Sequence, residues 1–332
     1  MDTETKDNEK KLEEWKKRSS ASEAHNEYGI DLGEVGLPFF MTEGMDARFE
    51  KGVLLITHGP FVSTMRVTGP SGASAEGETD NPAVAGVQVL TLLPRNMAEV
   101  FEKDPHMMNS FNGLAAGGAM ARNEKGSFYV GSRVTLFSKQ GAWAEVLVPL
   151  LRSAVLYGPS GMFSGAMAMM QEGVKPAEGV SAWGEEDFKQ IASLIPEMCP
   201  HQYTPAMLTA EFPMGGGAKA LLCMDSSVKH PGLGAGMLST LSLPLAEATA
   251  EEREHVTLTL NRLEMYRESR AQHYGAWCWQ EKDVLRYVSF FPNMMKEASA
   301  VLTCWPSVQA ARAPWALHMA VGMLRGERNK KS

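Results

Sequence analysis

The sequence predicts an α+β fold made of two tandem α-β-β-β-α-β-β-α units, each an antiparallel sheet with helices packed on it. Three observations predict it. Helical and strand periodicities follow one another in the same order in both halves. Pro82 and Pro231, Asn112 and Asn261, and Gly126 and Gly275 are each 149 residues apart, and landmarks in a single register are the mark of an internal repeat. The stretch YGAWCWQEKDVLRYVSFF, residues 274–291, alternates as two facing strands with Trp277 and Trp279 on one face. A bulky apolar face in both halves is what a sheet covered by helices requires.

The first unit opens with a charged helix within residues 1–28, where Asp7/Lys11, Glu13/Lys17 and Glu14/Arg18 stand at i,i+4 spacing. Residues 29–158 complete the unit. Strands are expected at 49–57, 61–68 and 87–93, with the polar, glycine-rich stretch 69–82 as a loop. Asp104-Pro105 opens a central helix, since proline is tolerated in a first turn. Strands at 126–130 and 133–138 turn through Gly131-Ser132, and a helix at 142–157 closes the unit.

Residues 159–180 form a linker containing GMFSGAMAMMQEG, and residues 181–324 form the second unit. Phe188, Ile191, Ala192 and Ile195 give a helix over 185–198. Strands at 208–212 and 218–224 flank Gly215, Gly216 and Gly217 as a hairpin would, and a third strand covers 237–243. Thr249 and Glu252 make a capping box, and the helix it starts runs to about residue 273. The aromatic strands 275–280 and 284–291 follow, and a last helix begins after Asn293, a favourable N-cap residue. Residues 325–332 are a basic tail.

Composition narrows the function. A chain of 332 residues with 44% hydrophobic content can bury two cores of ordinary domain size. Its net charge of −7 and lack of a basic block argue against nucleic acid. Apolar runs such as residues 84–93 are too short to cross a bilayer, and the N-terminus lacks the apolar core of a signal peptide. A cytoplasmic protein with no membrane insertion is therefore expected.

No catalytic, cofactor or metal motif emerges. Cys199, Cys223, Cys278 and Cys304 are scattered singly and read as free thiols. The eight histidines include no pair at metal-ligand spacing. His255 with Glu251 or Glu252 reads as a surface salt link. The glycines 215–217 lack phosphate-loop spacing, and GPSGA and GPSGM are one residue short of a nucleophile elbow. Asn112 and Asn261 stand mid-helix, where asparagine is intrinsically unfavourable, so each is expected to make a buried bond to a neighbouring strand or loop.

The 22 methionines are unusual, because methionine serves both as core filler and as adaptable binding surface. Phe163, Met167, Met169 and Met170 in the linker, with Trp277 and Trp279, are the residues expected to touch a partner. The expected function is a non-enzymatic protein-binding module that holds a partner protein or client peptide on this surface. Two other readings stand beside it. One is a sensor or enzyme with a site between the halves, using distant residues such as His201, His230 or His318. The other is a structural component of a larger assembly.

The stretch HPGLGAGMLSTLSLPLAEATAEEREHVTLTLNRLEMYRESRAQHYGAWCWQEKDVLRYVSFFPN carries a resemblance. In its Asn261-Arg262-Leu263 and Gly275-Ala276-Trp277 it resembles the class I type III secretion chaperone fold and the related YbjN-like proteins. The first half resembles them more weakly, through Asn112, Gly126 and Phe128. The resemblance implies a non-enzymatic unit that pairs as a dimer and holds an extended segment of another protein. A doubled chain would build that pair within one polypeptide, with further self-association left open.

Overall fold

The computed structural model describes residues 3–18, 30–69, 85–104, 107–123, 125–136, 143–170, 178–265, 272–281, 283–298 and 302–331. Its class is α+β, with two six-stranded antiparallel sheets. The first sheet holds β1 (Met45–Glu50), β2 (Val53–His58), β3 (Phe61–Thr68), β4 (Ala85–Leu92), β5 (Ala119–Arg122) and β6 (Phe128–Leu136). The second holds β7 (His201–Tyr203), β8 (Met207–Pro213), β9 (Lys219–Asp225), β10 (Gly236–Pro244), β11 (Ala276–Trp279) and β12 (Val284–Pro292). Their strand orders, β1-β2-β3-β4-β6-β5 and β7-β8-β9-β10-β12-β11, agree position for position.

Each half thus has four strands before its central helical segment, one more than the sequence patterns predict. The first expected strand of the chain is two strands, because Lys51 and Gly52 take positive φ (52° and 75°) and fold a tight turn within it. Its counterpart β7 has only three residues, all exposed, so it offers no alternation to detect.

The helices also differ from expectation. α1 (Thr3–Arg18) is followed by α2 (Leu32–Phe40), whose start is capped by the Asp31 carboxylate accepting from Gly33 N at 2.7 Å and Glu34 N at 3.2 Å. The last part of the expected first helix, residues 19–28, and most of the 69–82 loop lie outside the described residues. A helix that the sequence patterns do not predict, α3 (Arg95–Lys103), ends at Asp104 as its C-cap, and the central helix expected from Asp104-Pro105 is the short α4 (Met107–Asn112). Next come α5 (Trp143–Leu156) and α6 (Gly158–Met170), so the linker begins as a helix. In the second half stand α7 (Glu185–Ala192), α8 (Ala250–Met265) and α9 (Trp305–Lys331), which takes up most of the expected basic tail. The α8 capping box forms as predicted, with Thr249 N donating to Glu252 at 2.8 Å and Glu252 N donating to Thr249 Oγ1 at 3.2 Å. No helix of the described residues is long and apolar enough to cross a membrane.

β6 runs unbroken through Gly131 and Ser132, where a turn is expected, and β5 precedes it. Gly131 is small for packing, not for turning: a Cβ there would sit 1.9 Å from the Met265 sulfur of α8. Consequently Gly126 leads into β6, the second strand of its pair, whereas Gly275 leads into β11, the first. Those two glycines are not equivalent in the fold.

One apolar cluster joins the halves. Trp15, Phe39, Phe49, Ile56, Val89 and Leu151 of the first half belong to the same contiguous core as Phe188, Leu222, Leu241, Trp277, Phe291 and Trp305 of the second. α1 contributes Trp15, whose ring lies 5.5 Å from Phe40 and 6.0 Å from Phe49. A second cluster under α3, α4 and α6 packs Phe101 edge-on to Phe111 at 4.8 Å and Phe111 against Phe163 at 5.1 Å.

Candidate functional site

Four places around the junction of the halves gather polar or exposed apolar side chains. Carboxamides build the first. Asn112 accepts from Met120 N at 2.8 Å and donates to Met120 O at 3.2 Å. Asn261 does the same for Trp277, at 2.7 and 3.1 Å. Both therefore make the buried strand bonds expected of them. Met120 and Trp277 occupy the same place in β5 and β11, paired with Val130 and Tyr287. Asn109 then crosses between halves, accepting from Trp279 N at 2.7 Å and donating to Trp279 O at 3.0 Å. The amides thus fill the outer edges of β5 and β11, which would otherwise present unpaired peptide groups.

Backbone completes the junction. Arg133 and His273 each donate a backbone N–H to the other's carbonyl at 2.9 Å, Gln272 clips Thr135 through its amide at 2.6 and 2.7 Å, and Phe290 N donates to Ala115 O at 2.8 Å. His230 reaches across as well. Its Nδ1 accepts from Gly232 N (3.0 Å) and Leu233 N (3.1 Å), which leaves Nε2–H to donate to Leu114 O at 3.1 Å. Burial pushes its pKa down, against a smaller opposing effect of the Leu114 carbonyl, and the neutral ring suits this clamp.

The second place is a buried ionic cluster that no sequence spacing betrays. Arg312 Nε donates to both Glu264 oxygens at 3.0 and 3.1 Å, and Arg312 also reaches Gln309 and the Gln272 carbonyl. Trp277 Nε1 donates to Glu264 at 2.7 Å, His273 Nδ1 stands 3.3 Å from the same carboxylate, and the guanidinium lies 3.9 Å over the Tyr287 ring. Burial alone would raise the Glu264 pKa, but Arg312 and His273 outweigh it and hold the carboxyl below its usual value. Glu264, His273 and Arg312 have no solvent-exposed surface. A cluster closed to water on every side ties α8, α9 and β11 together rather than meeting a substrate.

The histidines proposed for an enzymatic site do not converge. His201 is exposed on β7 with Nδ1 2.8 Å from Cys199 O, His230 is the clamp just described, and His318 lies on α9 beside Met214 and Val321. No group of three metal-binding side chains occurs among the described residues. Burial pushes the Cys278 thiol up to about 12, so it stays protonated and inert.

The third place is α6. Trp277 and Trp279 are 0% and 6% exposed. Their rings fill core, and the expectation that they touch a partner is corrected on that ground. Phe163 is half-buried among Phe61, Phe101 and Phe111. Met167, Met169 and Met170 are 54%, 68% and 61% exposed. What holds the helix is its glycine face: a Cβ at Gly161 would meet Leu233 at 2.8 Å, and one at Gly165 would meet His230 at 3.0 Å. Replacing Gly232 with alanine would place a Cβ 2.5 Å from Gly165 N and 2.8 Å from Gly161 O. Overpacking of this kind costs about 1–3 kcal/mol. The expected result is faster hydrogen exchange in α6 with the remaining amides unchanged.

The fourth place is a cleft of about 460 Å³ between α4 and α8. Met108, Asn112 and Thr257 line its depth; Asn109 and Ser110 stand on the first half's side, and Arg253, Glu254 and Leu258 on the second's. Compared with family models, curated proteins and solved structures, the chain matches none.

Proposed function

We propose that the chain is a non-enzymatic protein-binding module, an adaptor resembling the secretion chaperones, with two units paired inside one polypeptide. The exposed methionines at the end of α6 carry this reading. Leaving three such side chains exposed to water is unfavourable unless something covers them, and flexible thioethers suit an apolar partner segment of variable shape. The tight glycine contacts with the 230–234 loop fix the helix so that it presents them without rearrangement.

The recurring strand order supports paired units. Asn112 and Asn261, with equivalent bonds at equivalent strands, support it further. In this reading the edges of β5 and β11 are spent on joining the units, which leaves α6 as the surface for a client.

Substituting Met167, Met169 and Met170 together with lysine tests the reading. Surface changes of this kind shift stability by about 0.5 kcal/mol or less each. The expected outcome is an unchanged melting temperature and loss of a polypeptide that co-purifies stoichiometrically with the wild-type chain. Retention of that polypeptide by the triple variant would sink the proposal.

A further inference from the structure

We infer that the cleft between α4 and α8 binds a small zwitterion of the free amino acid class, its carboxylate on Arg253 and its ammonium on Glu254. The inference is independent of the adaptor reading, since the cleft and the methionine end of α6 share no residue. A cleft of about 460 Å³ is in the range of small-molecule sites, roughly 300–1,000 Å³, and it lies at a junction of two units, where such sites concentrate.

The charges set the ligand class. Arg253 and Glu254 both line the cleft and both are partly withdrawn from water, yet neither forms an ion pair with the other or with any further charged group among the described residues. One guanidinium nitrogen donates to Ala248 O at 3.1 Å, which fixes the fork and leaves its other donors for a carboxylate. The Glu254 carboxylate has no internal donor among the described residues, so an ammonium would supply one. Ser110 offers a hydroxyl from the opposite side, and Met108 and Leu258 give the ligand's side chain an apolar surface. A ligand carrying only one charge would leave the other unanswered at the same partly dry site.

Binding there would also reinforce the junction. α4 belongs to the first half and α8 to the second, and Asn109 and Arg253 O each hold Trp279, through its peptide and its Nε1–H respectively. A ligand bound only by the folded chain raises its melting temperature by mass action.

The test uses the full chain with free leucine, methionine and glutamate as probes and N-acetylleucine and leucinamide as controls, read by thermal shift and calorimetry. Leucine or methionine should raise the melting temperature, and neither blocked analogue should. Losing one charge-assisted contact weakens binding by about 10- to 100-fold, and that loss is expected for Glu254→Gln and for Arg253→Lys. Glu254→Gln breaks no internal bond, so its unliganded melting temperature should equal that of the wild type, which keeps the test independent of folding. Three results would overturn the inference: no shift with any free amino acid, equal binding of the blocked analogues, or undiminished binding by Glu254→Gln.

Discussion

Replacing Arg312 with methionine is expected to cost about 3–5 kcal/mol, the largest effect of any single substitution considered for this chain. Arg312 holds both oxygens of a carboxylate that has no exposed surface, so its removal leaves Glu264 charged and unanswered, or forces it to take up a proton. Urea denaturation would measure the loss. Changing Glu264 to leucine in the same chain should restore part of it, because apolar packing in place of a whole buried pair is often neutral.

The pH dependence has a definite sign. In the wild type the Glu264 carboxyl is held below its usual value of 4.5. A depressed folded-state pKa means its stabilising contribution is complete above 4.5 and disappears as pH falls through the folded value. Burial is the largest single effect, and without Arg312 only the His273 contacts oppose it, so the pKa is expected to rise. The slope should then reverse, with stability falling as pH rises from 4.5. Denaturation midpoints for both chains across the acid range would show opposite trends, and parallel trends would refute this account of the cluster.

The second large effect is expected for Asn261→Ala. Its carboxamide answers both peptide groups of Trp277, and all three groups are buried. Each buried polar group left without a partner costs about 1–3 kcal/mol, so losing both bonds is expected to cost about 2 kcal/mol or more. Asn109→Ala should cost less, since Asn109 is only half-buried and water can replace it at Trp279. Thermal unfolding of the two variants side by side would check the order.

Much of the fold can be read in the residues, and the failures have physical causes. The largely apolar run over residues 284–291 places β12 because both faces of that strand pack against protein. The box at Thr249 and Glu252 places α8 because capping is a local bond. β7 is invisible because a short exposed edge strand needs no apolar pattern, and β5 because AMAR is too short to show a period. Asn261 stands out because a mid-helix asparagine is justified only by its tertiary bonds, whereas Asn112, expected mid-helix too, is the last residue of α4. Nothing in their neighbours marks Asn109, Glu264 or Arg312: their partners lie 170, 13 and 48 residues away. In the sequence the rings of Trp277 and Trp279 fit a sheet–helix core and leave an open partner-binding face as the alternative, and the helices packed over β11 decide for core.

The proposed function turns on whether the methionine end of α6 is where a partner sits. A photo-reactive residue placed at position 169 of the full chain, activated in the native host, measures this directly. The account predicts cross-linking to one partner polypeptide, abolished when Met167 and Met170 are made lysine at unchanged melting temperature. Cross-linking that is absent, or that persists equally in the lysine variant, would contradict it.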